Sequence, residues 1–229
     1  MNIEPFYRAV CERLAKACVD ANRPETSVRL LAVSKKHPVS AISALLALGH
    51  RDFAENYWQE ARDKQAELVG EPITWHFIGQ LQRNKARYIA KAFDWVHSVP
   101  SIEVAAKLNQ YRPDDVKPLN ICLQMNLEAE ETKQGFDEAE LESAIRAVLQ
   151  LPRLALRGLM CLPEPQAKDS AACSPAFVEM QRLFNDMGQQ FPELQWDTLS
   201  MGMSADLEQA VACGSTCIRV GTALFGSRT

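Results

Sequence analysis

The sequence predicts an α/β fold: a TIM-type (β/α)8 barrel, a single domain over residues 1–229, with an extra N-terminal helix ahead of the first strand. Three observations predict it. Eight short apolar runs occur, and each but the last is followed by a stretch with helical spacing. Several runs are continuous rather than alternating, as in parallel strands covered on both faces. Eight evenly spaced units in 229 residues suit a closed barrel better than an open, doubly wound sheet.

The elements follow in order. Phe6, Val10, Leu14 and Ala17 recur at threes and fours and predict the leading helix, which ends by residues 22–24. Residues 28–33 form the first strand. A helix covers 38–48, with Pro38 in its first turn and Gly49 beyond its end. Strand 52–54 precedes helix 57–68, and strand 75–78 precedes helix 82–92. Strand 95–98 leads into helix 101–109, where Ser101 is a suitable cap and Glu103 sits in the first turn. Strand 119–125 precedes helix 137–149. Strand 154–160 precedes helix 174–187, with Pro175 at its start. Strand 196–200 leads to helix 204–212, capped by Ser204, and 217–220 is the last strand. Irregular loops are expected at 126–135 and 163–175, on the face where barrels keep their functional loops.

Composition narrows the function classes. A formal net charge of -4 suggests neither a nucleic-acid footprint nor a membrane surface. The N-terminal stretch is broken by charges, unlike a secretory signal, and no run of about 18 apolar residues occurs. A cytoplasmic location is the expectation. The seven cysteines are odd in number and irregular in spacing, which suggests free thiols in a reducing compartment and no metal site.

Polar residues collect where the strands end: Ser34-Lys35, Glu55-Asn56-Tyr57, Gly79-Gln80, His97-Ser98, Gln124-Met125-Asn126, Ser200 to Ser204, and Arg219 to Thr222. A barrel brings such ends to one mouth. The segment Ser200-Met-Gly-Met-Ser204 offers Gly202 for a turn and Ser204 for a helix start, where unpaired backbone N–H groups favour phosphate. Arg219, Gly221 and Thr222 add a cation, a glycine and a hydroxyl. Leu31, Val33 and Lys35 share one face of the first strand. If that face is the interior, Lys35 emerges at the top of a packed core as a partly desolvated amine, with Lys36 left to solvent. An amine and a phosphate site across one mouth fit a ligand with both an aldehyde and a phosphate. Pyridoxal 5′-phosphate is one, and the sugar phosphates of Schiff-base aldolases are others.

The chain resembles the YggS/PROSC family, the pyridoxal phosphate homeostasis proteins, over essentially its whole length. The resemblance rests on LLAVSK at 30–35, FAENYWQE at 53–60, WHFIGQLQRNK at 75–85, LPRLALRGLM at 151–160 and SMGMSADLEQAVACGSTCIRVGTALFG at 200–226. It implies a barrel like the N-terminal domain of alanine racemase, holding pyridoxal 5′-phosphate as a Schiff base on Lys35. It implies phosphate contacts from Ser200, Gly202, Met203, Ser204, Gly221 and Thr222, and Arg219 near the pyridine nitrogen. Asn56, His76 and Met160 match pocket positions, and Lys133 matches a loop lysine discussed as a second contact. Such an arginine opposes protonation of the ring nitrogen and weakens the cofactor as an electron sink. The family is regarded as carriers or regulators in vitamin B6 homeostasis rather than enzymes. A weakly active amino-acid racemase is the alternative, for which Tyr57 is the candidate second acid–base group. Expected partners are the cofactor and apo forms of enzymes that use it, with the chain a monomer or weak homodimer. The basic helix 82–92 is a candidate dock for an acidic partner, and Cys161 a candidate thiol near the mouth.

Overall fold

The computed structural model describes residues 2–127, 134–163 and 173–226. Lys133 and most of the two irregular loops lie outside the described residues. Eight parallel strands pair in chain order, and the last pairs with the first, closing a barrel. They are β1 (Arg29–Val33), β2 (Asp52–Glu55), β3 (Thr74–Phe77), β4 (Trp95–Val99), β5 (Leu119–Gln124), β6 (Leu154–Met160), β7 (Thr198–Met203) and β8 (Cys217–Val220). The helices are α1 (Glu4–Asp20), α2 (Val39–Ala47), α3 (Trp58–Glu67), α4 (Ala86–Ala92), α5 (Ile102–Tyr111), α6 (Glu138–Val148), α7 (Pro175–Gln190), α8 (Leu207–Ala212) and α9 (Thr222–Phe225). The predicted barrel and its leading helix are therefore present.

Local chemistry sets several boundaries. Ser101 accepts the Val104 N–H and opens α5. Asp137 and Glu140 form a reciprocal capping box at α6, which satisfies two otherwise orphaned donors. Ser174 caps α7, with Pro175 at its first position. The amphipathic helices then bury their apolar stripes against the outer faces of the strands. Leu141, Ile145 and Val148 do so from α6, and Phe177, Met180 and Leu183 from α7. Helix α1 packs on α8, where Arg13 pairs with Glu208 and donates to the Ser204 carbonyl at 2.7 Å.

The barrel interior is separate from that shell. One apolar set joins Leu31, Val33, Ala54, Ile78 and Cys217, and another joins Trp95, Cys122 and Met160. Leu31 and Val33 therefore do face inward beneath Lys35. Between these sets lie buried polar side chains: His76, His97, Ser200 and Arg219.

Three expectations are corrected. Residues 201–203 continue β7 instead of turning, and the next helix begins at Leu207, not Ser204. Ser204 caps nothing there; it sits in a three-residue turn, which Asp206 closes by accepting the Met203 N–H at 2.5 Å. Gly202 lets β7 run this close to α8, because at φ +92° an added Cβ would lie 2.4 Å from that of Ala210. Strand β7 begins at Thr198 rather than 196, since Trp196 stacks on Phe184 and donates to its carbonyl at 2.8 Å. Finally, the cysteines are not all free: Cys173 is joined to Cys213, which ties the start of α7 to the end of α8.

One glycine bears directly on the mouth. At Gly79, just past β3, an added Cβ would lie 1.9 Å from the Asn56 carbonyl oxygen. Backbone on both sides leaves no room to give. Gly79→Ala is expected to destabilise the fold by about 3 kcal/mol or more, read as a lower urea midpoint. An unchanged midpoint would contradict this close approach.

Candidate functional site at the barrel mouth

The C-terminal ends of β1, β2, β7 and β8 surround a cavity of about 370 Å³, within the usual range of small-molecule sites. Lys35, Asn56, Met203, Ser204, Arg219, Gly221 and Thr222 line it, with Val33, Ile78 and Leu162 as apolar wall. The other residues singled out in the sequence lie elsewhere. His76, Met160 and Ser200 are fully buried, and Gly202 is buried under the mouth. Tyr57 is exposed and lines a neighbouring hollow with Trp58, Gln82 and Lys85. Cys161 is buried, and its carbonyl accepts from Arg219 at 2.9 Å.

Lys35 is half-buried, and the chain on either side of it is held firmly. Its neighbour Ser34 is fully buried; its N–H bonds the Ala54 carbonyl at 3.0 Å and its hydroxyl donates to Glu55 at 2.6 Å. The Lys64 ammonium donates to the Ser34 carbonyl at 2.6 Å and to Glu55 and Glu60 at 2.7 Å each. On the other side, the Lys36 N–H donates to Glu60, with Lys36 itself at φ +63° and exposed. Glu55, Glu60 and Lys64 thus pin both peptides flanking Lys35. Sequence reasoning missed Glu60 and Lys64. Their spacing of four on α3 was visible, but nothing in the sequence showed that this helix face turns back under β1. Burial raises the Glu55 carboxyl, against the pull of Lys64 and Ser34.

Arg219 forms the inner end of the cavity. It is 3% exposed and donates to the Ser200 carbonyl at 2.7 Å, the Ser200 hydroxyl at 2.9 Å and the Cys161 carbonyl at 2.9 Å. Burial lowers its pKa from the ordinary arginine value. Beneath it run His97, His76 and Asp52, each within hydrogen-bond distance of the next. At the floor, the Arg29 and Arg157 guanidiniums each lie 4.9 Å from the Trp95 ring, and Arg29 also faces Asp52.

Ser204 and Thr222 bring hydroxyls to one wall, and Gly221 leaves its backbone bare beside Val33. The Asn56 Oδ1 is buried without a hydrogen-bond partner. A buried polar atom in that state costs stability unless a ligand meets it. The mouth therefore combines an amine, hydroxyls, a guanidinium and an unmet amide, which suits a small polar ligand carrying an anion.

Comparison with known proteins agrees with that chemistry. The chain is 49% identical over 219 residues to the "Pyridoxal phosphate homeostasis protein" of Pseudomonas aeruginosa, covering 96% of this chain and 93% of that one. The chain belongs to this family, the YggS/PROSC proteins. The Escherichia coli K12 member is 42% identical over 222 residues, covering 96% and 94% of the two chains. A family model described as "Alanine racemase, N-terminal domain" matches residues 14–229. Among solved structures, PipY of Synechococcus elongatus with PLP bound is 40% identical with a TM-score of 0.80, covering 95% of this chain and all of that one. Alanine racemase of Clostridium difficile shares the fold at 14% identity and a TM-score of 0.68; the match covers 95% of this chain and 56% of the racemase.

Two outcomes follow from the buried charges. Lys64→Met leaves Glu55 buried without its cation and is expected to destabilise by about 3–5 kcal/mol, measured by urea unfolding; a loss under about 1 kcal/mol would show the network idle. Burial also lowers the pKa of His50, His76 and His97 below 6.5. Below that pH the unfolded chain takes up protons that the fold refuses. Stability should be complete above pH 6.5 and fall as the pH drops, by up to about 1.4 kcal/mol per pH unit for each histidine. Glu55, shifted upward, acts in the opposite sense and reduces the net slope. Unfolding free energies at pH 7.5, 6.5 and 5.5 check this, and a flat profile would contradict it.

Proposed function

We propose that this protein binds pyridoxal 5′-phosphate reversibly, as a Schiff base on Lys35, and serves in cofactor homeostasis rather than in substrate turnover. The observation that carries this reading is the meeting of Lys35, Arg219 and the Ser204–Thr222 wall in one cavity. Its support outside the molecule is membership of the homeostasis family. When bound, the cofactor supplies an aldehyde, a phosphate and a ring nitrogen.

The residues divide the work by chemistry. Lys35 is the primary amine, carried at the rim of a packed interior by the two pinned peptides. Ser204, Thr222 and the bare backbone at Gly221 hold the phosphate. Asn56 meets a polar group of the ligand that would otherwise leave its own amide unpaired. Arg219 donates to the ring nitrogen. A guanidinium cannot take up a further proton and gives one up only at very high pH. It therefore holds the nitrogen unprotonated, and the ring draws electrons weakly. Substrate chemistry at an amino-acid α-carbon also needs an acid–base group placed in the cavity. Tyr57, the candidate, lines the neighbouring hollow instead. A cytoplasmic role, with delivery to apo forms of cofactor-dependent enzymes, completes the proposal.

Borohydride reduction followed by peptide mass mapping tests the anchor. The phosphopyridoxyl group is expected on Lys35, and Lys35→Ala should abolish the visible absorbance of the adduct while keeping part of the affinity. An adduct mapped elsewhere, or absorbance unchanged in Lys35→Ala, would refute the assignment. Ser204→Ala should weaken cofactor binding by about 1.5–3 kcal/mol, the scale of one hydrogen bond to a charged group. Equal affinity of the native protein for pyridoxal and pyridoxal 5′-phosphate would remove the phosphate wall from the proposal.

A further inference from the structure

We infer that Asp52, at the barrel floor, positions Arg219 at the mouth through one directed hydrogen-bond chain, with His76 and His97 both neutral and both protonated on Nε2. The chain crosses the barrel interior. The Arg219 Nη1 lies 2.9 Å from the Ser200 Oγ, and that oxygen lies 2.9 Å from the His97 Nδ1. The His97 Nε2 lies 3.0 Å from the His76 Nδ1, and the His76 Nε2 lies 3.1 Å from the Asp52 Oδ1. Both imidazoles and Ser200 are fully buried, so no bulk water can substitute for a missing partner.

The two ends fix the direction. A guanidinium only donates, and an ionised carboxylate only accepts. A neutral imidazole has one donor and one acceptor. His76 must therefore donate from Nε2 to Asp52, which leaves its Nδ1 as an acceptor. His97 must donate from Nε2 to that atom, which leaves its own Nδ1 as an acceptor. Ser200 must give its only proton to His97. Its oxygen lone pairs are then left to accept from Arg219. The reverse arrangement would aim the bare His76 Nε2 at the Asp52 carboxylate. It would also turn His97 into the donor toward Ser200. Protonating either ring would instead add a cation to an interior that already holds Arg219 and borders Arg29.

The consequence reaches the ligand site. Giving its proton to His97 fixes the orientation of the Ser200 hydroxyl and keeps that proton away from Arg219, and this orientation traces back through both rings to Asp52. Asp52, His76 and His97 are thus positioning residues for the guanidinium, although none of them lines the cavity. The part of this inference that concerns pyridoxal 5′-phosphate rests on the function proposed above; the proton positions do not.

Long-range ¹H–¹⁵N correlation NMR of the labelled native protein at neutral pH reads the tautomers directly, with assignments from single His→Gln variants. His76 and His97 should both appear as neutral Nε2–H forms. A proton on Nδ1 of either ring, or a protonated ring, would overturn the inference without any ligand being added. Asp52→Ala removes the terminal acceptor and should mix the tautomers of both rings. It should also shift the absorbance of bound pyridoxal 5′-phosphate and weaken its binding several-fold, with affinity for inorganic phosphate unchanged. Asp52→Asn keeps a carbonyl acceptor and should restore the native tautomers and spectrum. Native tautomers and spectrum in Asp52→Ala, or equal losses for pyridoxal 5′-phosphate and inorganic phosphate, would remove Asp52 from any positioning role. If Asp52→Ala does not fold, the native tautomers and the Asp52→Asn variant still decide the matter.

Discussion

Closing eight short parallel strands turns alternate side chains inward, and the rest of this molecule depends on how that space is filled. An all-apolar filling would give a barrel that is stable and chemically blank. Here the apolar sets around Leu31 and around Trp95 leave room for a polar column between them. A buried polar column is tolerable only if every member is satisfied, because each unmet group costs as much as several good contacts return. The column from Arg219 to Asp52 meets that condition with side chains from β2, β3, β4, β7 and β8. None of those strands could hold its polar residue alone.

The second constraint acts at the rim. A lysine amine at a strand end is ordinarily mobile, since its four-carbon stem carries considerable rotamer freedom. At Lys35 the backbone is restrained instead. The carbonyl on one side is taken by Lys64, and the N–H on the other by Glu60. Glu55 joins the two through Ser34 and Lys64. This cluster lies outside the barrel wall, while Arg219 and Ser200 lie inside it. The mouth is therefore gripped from both sides of the sheet: the amine from without, the guanidinium from within. Lys35 and Arg219 consequently reach the cavity from rigid elements, which is what precise recognition of a small ligand requires.

Much of this was legible in the sequence. The strands are short, apolar and regularly spaced, so their existence and parallel pairing could be read from periodicity and burial pattern. Lys35 and Arg219 stood at strand ends, and barrel geometry alone brings such ends together. The errors have physical causes. Ser204 reads as a helix cap because its residue type favours that role. Asp206, two residues on, takes the Met203 N–H and delays the helix to Leu207. The resemblance implied a pocket position for His76, but its ring lies below the mouth, between His97 and Asp52. The pairing of Cys173 with Cys213 joins residues 40 apart, and spacing alone carries no sign of it.

The sequence by itself determined the barrel, the order of its strands and the presence of Lys35 and Arg219 among the groups at its mouth. Those follow from residue type and period, which are local properties of the chain. Only the tertiary structure decided which groups face one another: that Lys64 of α3 reaches back to Ser34, and that a carboxylate on β2 is linked through three side chains to an arginine on β8. Hydrogen-bond partners are set by distances of about 3 Å between segments far apart in the chain. That information is created when the barrel closes.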